Sequence, residues 1–196
     1  MFQQFVGINV IFYYGATLWQ AAGFSESHAL FTNVITGVTN IASTLLAIAL
    51  IDKIGRRRLL LIGSAGMGIS LAVQTAAFIF GAVHGSKGAP LGHHASFIAL
   101  VAANLYIGSF GVSWGPVVWV MLGEMFGNQF RGAALSVSAA VQWLANFLVI
   151  VSFPSLLEHA GPGGSYACYT VVSILSYFFV LKFIRETRGK TLEAAG

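Results

Sequence analysis

Side-chain amides recur at helical spacing inside long apolar stretches of this chain. Ser138, Gln142 and Asn146 follow one another at intervals of four, which places all three on one narrow face of a helix. An unpaired amide costs about 4 to 8 kcal/mol in hydrocarbon, so this face must turn toward protein or water. The pattern predicts a polar face on a helix that is embedded in a membrane.

Two further stretches carry faces of the same kind. One combines amides and hydroxyls at steps of three and four, at Asn33, Thr36, Asn40 and Thr44. The other is a broad arc near the start of the chain, made by Gln3, Asn9, Tyr13, Tyr14 and Gln20, with Gln4 at its edge. An aromatic ring, Trp119, lies in a fourth stretch. Neutral donors and acceptors beside an aromatic ring suit a ligand with a rim of hydroxyls and an apolar face, which describes a sugar.

The amides have a second interpretation, because such side chains also hold membrane helices together. For any single amide the two interpretations are equally open. The convergence of several amides on three helices favours a water-accessible binding cavity. An anionic ligand would call for a buried Arg or Lys, and the apolar stretches contain neither.

The distribution of charge predicts how many helices there are. The chain of 196 residues is 57% hydrophobic, and its ten Lys and Arg and six Asp and Glu leave six uncharged stretches. A helix needs about 20 apolar residues to cross a bilayer, so each stretch holds one crossing. We therefore expect an all-α membrane protein with six transmembrane helices. The expected spans are about 1–22, 28–51, 59–84, 96–123, 132–157 and 165–184, followed by a cytoplasmic tail at 185–196.

The basic residues predict the orientation in the membrane. If the spans alternate, the segments 52–58, 124–131 and 182–196 share one side and contain every Lys and Arg except Lys87. The positive-inside rule places that side, and with it both termini, in the cytoplasm. We expect a multi-pass protein of the cell (inner) membrane, and no nucleic-acid partner.

No pattern of catalytic or metal-binding residues stands out. The five histidines all fall on or near the expected outer side, at His28, His84, His93, His94 and His159. The adjacent pair His93 and His94 has no Cys or carboxylate at ligand spacing, so solvated loop histidines are favoured over a metal site. We expect no enzyme activity, no cofactor and no metal.

Glycine and proline predict local features of the apolar helices. Gly115 and Pro116 interrupt the fourth stretch, where the missing amide hydrogen of proline predicts a bend or break. Other glycines lie inside spans, Gly63, Gly66 and Gly68 in the third and Gly108 and Gly111 in the fourth. Small residues at such positions favour close packing of helices.

Four motifs, in order, carry a family resemblance. They are Gln3 to Asn9 with Tyr13 and Tyr14, Asp52 to Arg58, Gly115 to Trp119 with Glu124 and Arg131, and Glu186 to Glu193. With them the chain, from about Phe2 to Glu193, resembles the C-terminal six-helix half of a sugar porter of the major facilitator superfamily. That half is a three-plus-three inverted repeat. The first motif, with Gln142 to Asn146, looks closest to bacterial D-xylose-proton symporters.

The resemblance implies two groups of functional residues. The sugar-binding group is Gln3, Gln4, Asn9, Tyr13, Asn40, Trp119 and Gln142. The second group is a cytoplasmic charge network that closes the inner gate: Asp52, Arg56, Arg57, Glu124, Arg131 and Glu186. We also expect a salt link between Glu124 and Arg131, which are seven residues apart.

The resemblance further implies a function and a set of partners. It implies transport of a pentose or hexose, D-xylose or a glucose-like sugar, by alternating access, coupled to protons in the intact carrier. The expected partners are a monosaccharide, the lipid bilayer and an N-terminal six-helix half, which in this family holds the proton-coupling carboxylate. The alternative is a truncated half that inserts or associates with a carrier and transports nothing.

Overall fold

In the computed structural model, which describes residues 1–21, 24–81, 91–127 and 129–186, the regular elements are α-helices. The helices are α1 (Phe2–Phe5), α2 (Ile8–Ala21), α3 (Glu26–Ile54), α4 (Arg56–Phe80), α5 (His93–Val112), α6 (Pro116–Met125) and α7 (Arg131–Phe183). The all-α prediction is confirmed. His84, Lys87 and most of the expected tail, 187–196, lie outside the described residues.

Within the described ranges, four helical stretches are long and apolar enough to cross a membrane. They are Glu26–Ile54, Arg56–Phe80, His93–Met125 and Arg131–Phe183. They include the expected second, third and fourth spans, with boundaries shifted by a few residues. The number of six crossings stays a prediction, because the first expected span is interrupted and the last two fall within one long helix.

Helix α7 is long enough for two crossings. Its 53 residues would extend about 80 Å if straight, more than twice the hydrocarbon thickness of about 30 Å. At Gly161 the backbone leaves helical geometry, with φ 69° and ψ 177°, and Pro162 follows. The helix thus consists of two helical parts, 131–160 and 162–183, that meet at a kink.

The first expected span is broken near its start. Gly7 has φ 85°, in the left-handed region that glycine tolerates best, and separates α1 from α2. A Cβ atom at Gly7 would lie 2.8 Å from the ring of Tyr169, so a side chain has no room there. Composition predicts an apolar span here, but nothing in its periodicity predicts this break.

Helix α4 lies at the centre of the packing. It packs mainly against α5 and α7, while α3 packs on the far side of α5. Glycine allows this close contact: a methyl group at Gly63 would overlap Ser113 Oγ and reach within 3.0 Å of the Ser109 carbonyl oxygen. The prediction of close packing is confirmed for Gly63, Gly66 and Gly111.

The outer faces of the helices are apolar. Large hydrophobic side chains are exposed along α3, α4 and α7, among them Phe31, Ile69, Trp143 and Phe178. A water-soluble protein rarely exposes contiguous apolar surface of this kind. The arrangement fits a bundle whose outside contacts lipid.

We predict that Gly63→Ala destabilises the bundle. The added methyl group forces α4 and α5 apart, and overpacking of this kind costs about 1 to 3 kcal/mol. The matched control is Gly37→Ala on α3, where a Cβ atom meets nothing within 4 Å. Thermal unfolding in detergent should show a lower melting temperature for Gly63→Ala only; equal melting temperatures would contradict the packing.

Candidate functional site

Five amide side chains meet where α1, α2 and α7 approach one another. Gln142 and Asn146, one turn apart on α7, are both buried, as is Gln3 on α1. Gln4 on α1 and Asn9 on α2 are partly buried beside them. The three amides of the first motif and the amide face of α7 therefore form one cluster, here called the amide network.

Hydrogen bonds connect the network from end to end. Asn9 Nδ2 donates to Gln4 Oε1 and to Asn146 Oδ1, each at 2.7 Å. Gln4 Nε2 donates to Gln142 Oε1 at 3.1 Å, and Gln142 Nε2 donates to Gln3 Oε1. Each amide has two donor hydrogens and an acceptor oxygen, so the network can exchange internal bonds for bonds to a ligand that both donates and accepts.

The network ends on the break between α5 and α6. Gln3 Nε2 donates to the carbonyl oxygens of Trp114, at 2.8 Å, and Gly115, at 3.1 Å. Helix α6 begins at Pro116, which suits the first position of a helix because it has no amide hydrogen to satisfy. Gly115 and Pro116 thus lie at the interruption, beside the amides.

Three residues of the expected sugar-binding group lie outside these bonds. The side chains of Tyr13 and Trp119 are 66% and 41% exposed, and Asn40 on α3 is partly exposed. Among the described residues, the hydrogen bonds of the amide network do not include these three side chains. Asn146 is in the network although the resemblance did not select it. Its spacing of four from Gln142 is the signal that finds it.

Most of the expected gate residues lie at the N-terminal end of α4. Arg56 forms two hydrogen bonds of 3.1 Å from Nε to the Glu124 carboxylate, and a third of 2.5 Å from Nη2. Arg56 Nη1 also lies 2.8 Å from Asp52. This arginine therefore joins the end of α3, the start of α4 and the end of α6.

Glu186 binds the same end of α4 through the backbone. Its carboxylate accepts hydrogen bonds from the amide nitrogens of Arg56, at 2.9 Å, and Arg57, at 3.2 Å. The first amide hydrogens of a helix have no partner within the helix, and the helix dipole favours a negative charge there. Arg57 Nη2 donates to the Leu181 carbonyl oxygen at 2.9 Å, which adds a second link to the end of α7.

Arg131 does not join this cluster as its spacing from Glu124 suggested. The Glu124 carboxylate binds Arg56, and Arg131 Nε and Nη2 are buried without a hydrogen-bond partner among the described residues. Spacing of seven places two residues on one face only within a single helix. Here α6 ends at Met125 and α7 begins at Arg131, so the spacing argument does not apply.

An apolar groove lies away from the amide network. It has a volume of about 630 Å³ and runs between α3, α4 and α5. Its lining is mainly apolar, and its amide Asn104 already accepts a hydrogen bond from Thr39 at 3.1 Å. This lining offers few hydrogen-bonding groups to a ligand rich in hydroxyls, whereas the amide network offers several. In the described part of the chain, no group of three His, Cys, Asp or Glu could hold a metal.

Comparison with known proteins places these features in a family. The family described as "Sugar (and other) transporter" matches residues 1–196. The chain is 54% identical over 192 residues to the glucose transport protein of Synechocystis sp., covering 97% of this chain and 41% of that protein. It is 41% identical over 199 residues to the D-xylose-proton symporter of Escherichia coli K12, covering 98% of this chain and 38% of that protein.

Solved structures give the same result. The structure of a proton:xylose symporter of the major facilitator superfamily, bound to 6-bromo-6-deoxy-D-glucose, matches with a TM-score of 0.81 at 41% identity. The match covers 98% of this chain and 40% of that one. This chain belongs to the sugar transporter family and has a major facilitator fold, which confirms the resemblance. The relatives named here are sugar transporters and not enzymes. It spans about two fifths of the length of these relatives.

We predict that Glu124→Gln loosens the charge cluster at Arg56. The substitution removes the negative charge that faces Arg56 and replaces one acceptor oxygen with an amide donor. A guanidinium N–H of Arg56 then lacks an acceptor, which costs about 1 to 3 kcal/mol of folding free energy. The matched control is Asp52→Asn, which removes an Arg56 partner whose side chain is 79% exposed, against 27% for Glu124. An exposed pair contributes about 0 to 1 kcal/mol, so thermal unfolding in detergent should separate the two variants. Equal decreases in melting temperature would contradict the conclusion that Glu124 is the stronger partner of Arg56.

Proposed function

We propose that this chain is the C-terminal six-helix domain, residues 1–196, of a carrier that moves a neutral monosaccharide by alternating access. The observation that carries the proposal is the amide network beside the break at Pro116, in a chain of the sugar transporter family. Amides offer donors and acceptors without charge, which suits sugar hydroxyls. Carriers of this superfamily bind their substrate near the midplane, between two halves that rock about it.

The sugar-binding residues divide into two kinds. Gln3, Gln4, Asn9 and Gln142 belong to the amide network, where sugar hydroxyls replace amide-to-amide bonds. Tyr13, Asn40 and Trp119 line the open side of the cavity, with the Trp119 ring under the apolar face of the sugar. The exposure of Tyr13 and Trp119 supports this, since a cavity-lining ring must remain open to its ligand.

The substrate is a pentose or hexose, D-xylose or a glucose-like sugar. The relatives named above are a glucose transport protein and a D-xylose-proton symporter, and a related symporter structure holds a glucose analogue. Transport in the intact carrier is coupled to protons. As the family resemblance implies, the coupling carboxylate belongs to the N-terminal half, which also supplies the second wall of the cavity.

The domain crosses the cell (inner) membrane six times, with both ends in the cytoplasm. The crossings are α1 with α2, α3, α4, α5 with α6, and the two parts of α7, 131–160 and 162–183. The side on which nearly all basic residues fall supports this orientation. On the same side, Asp52, Arg56, Arg57, Glu124 and Glu186 form the inner gate. Arg131, the sixth expected member, has no hydrogen bond to them among the described residues.

We predict that the chain carries sugar only together with an N-terminal half. Radiolabelled D-xylose and D-glucose uptake is measured in transporter-null cells that produce this chain alone, or with the matching N-terminal half. Uptake on co-production only is the expected result, because one half supplies one wall of the cavity. Uptake in neither case, with insertion verified, would favour the non-transporting alternative.

We further predict that Gln142→Ala weakens sugar binding in the intact carrier. The substitution removes the amide that joins Gln3 to Gln4, and the loss of one or two hydrogen bonds corresponds to a dissociation constant raised about tenfold. The control is Gln20→Ala, which removes an exposed glutamine of α2. Membrane insertion should be equal in both variants. An unchanged affinity of Gln142→Ala would remove this glutamine from the site.

A further inference from the structure

Two helix interruptions lie close together in this fold. The first, at Val6 and Gly7, separates α1 from α2, and the second, at 113–115, separates α5 from α6. Each interruption releases backbone carbonyl groups from their helical bonds. In a membrane such groups need another donor, because no lipid chain can supply one.

The freed carbonyl groups at each interruption accept hydrogen bonds from a side chain of the other helix pair. The Tyr106 hydroxyl of α5 donates to the Val6 carbonyl oxygen at 2.8 Å. In return, Gln3 of α1 donates to the Trp114 and Gly115 carbonyl oxygens that the second break releases. The two breaks are therefore joined by reciprocal hydrogen bonds, one on each side.

Helix α1 depends on these bonds for its position. It contains four residues, one turn, which is far too short to be stable alone. It carries Gln3 and Gln4, so whatever fixes α1 also fixes two amides of the network. Helix α5, by contrast, has 20 residues and packs in the core, so it provides a rigid support for Tyr106.

Tyr106 itself is out of reach of a ligand. Its side chain is 0% exposed, and it lies among the largest fully buried side chains of the fold. Its hydroxyl connects it to the backbone of α1 through the hydrogen bond to the Val6 carbonyl oxygen.

We propose that Tyr106 is a positioning residue of the sugar site: its hydroxyl holds Val6 and thereby places Gln3 and Gln4 of the one-turn helix α1 in the amide network. The proposal rests on the proposed function, since it assigns a role at the same site. It also gives a route by which movement at the break before Pro116 reaches the sugar. A shift of Trp114 and Gly115 pulls on Gln3, while Tyr106 keeps the other end of α1 in place.

The test is Tyr106→Phe in the intact carrier, with D-xylose and D-glucose as probes. This change removes the hydroxyl and keeps the ring. The expected result is a dissociation constant raised about tenfold in the folded, purified protein, with a smaller change in the maximal uptake rate. The matched control is Tyr166→Phe, which removes a hydroxyl from another buried tyrosine, 4% exposed, that stacks on Phe78. The control should bind within about twofold of the wild type.

A double variant separates positioning from a loss of stability. If Tyr106 acts through Gln3, adding Tyr106→Phe to Gln3→Ala should weaken binding little further, whereas independent effects would multiply. Multiplying effects, or a Tyr106→Phe protein that melts lower yet binds sugar as the wild type does, would overturn the proposal. If the wild-type carrier binds neither sugar, the proposed function fails and this proposal with it. If only Tyr106→Phe behaves as wild type, the proposed function stands and this proposal alone is lost.

Discussion

A carbonyl group that leaves a helix inside hydrocarbon must find a new hydrogen-bond donor, and this requirement organises the centre of the molecule. The chain interrupts its helical geometry at Gly7 and at 113–115. Gln3 and Tyr106 provide the donors, and each comes from the helix pair that carries the other break. The freed carbonyl groups of each break accept hydrogen bonds from a side chain of the other helix pair. Movement at one break therefore disturbs the hydrogen bonds of the other.

The need for hydrogen-bond donors at the two breaks also relates the fold to the proposed sugar site. The amides that complete the backbone bonding also bind one another, through Gln142 on α7 and from there through Gln4 to Asn9. A network of neutral amides satisfies itself when empty and can satisfy sugar hydroxyls when filled. Exchange of one set of hydrogen bonds for another has a small net free energy, about 1 kcal/mol for each bond, which suits a carrier that must both bind and release.

The charged cluster around Arg56 follows a different rule. It lies where helices leave the apolar region, and its partners come from α3, α6 and the segment after α7. Partly exposed ion pairs are individually weak, since water competes for both charges. Several such pairs on one arginine suit the proposed inner gate, which must both close and open.

The sequence by itself determined the class of the molecule and much of the site. Periodicity reports local geometry, so the amide face of α7, the interruption at Pro116 and the all-helical membrane fold could all be inferred from spacing and composition. Residue size predicted close packing at the glycines inside the spans, and the structure shows it at Gly63, Gly66 and Gly111 but not at Gly68 or Gly108.

Only the tertiary structure decided which partner each polar group takes. Gln3 and Trp114 are 111 residues apart, and no local pattern relates them. Glu124 binds Arg56 of another helix rather than Arg131, because the chain leaves helical geometry between α6 and α7. The sequence also did not predict the break at Gly7 or the hydrogen bond from Tyr106 to Val6. Both depend on the packing of distant helices, which determines the donor that each carbonyl group meets.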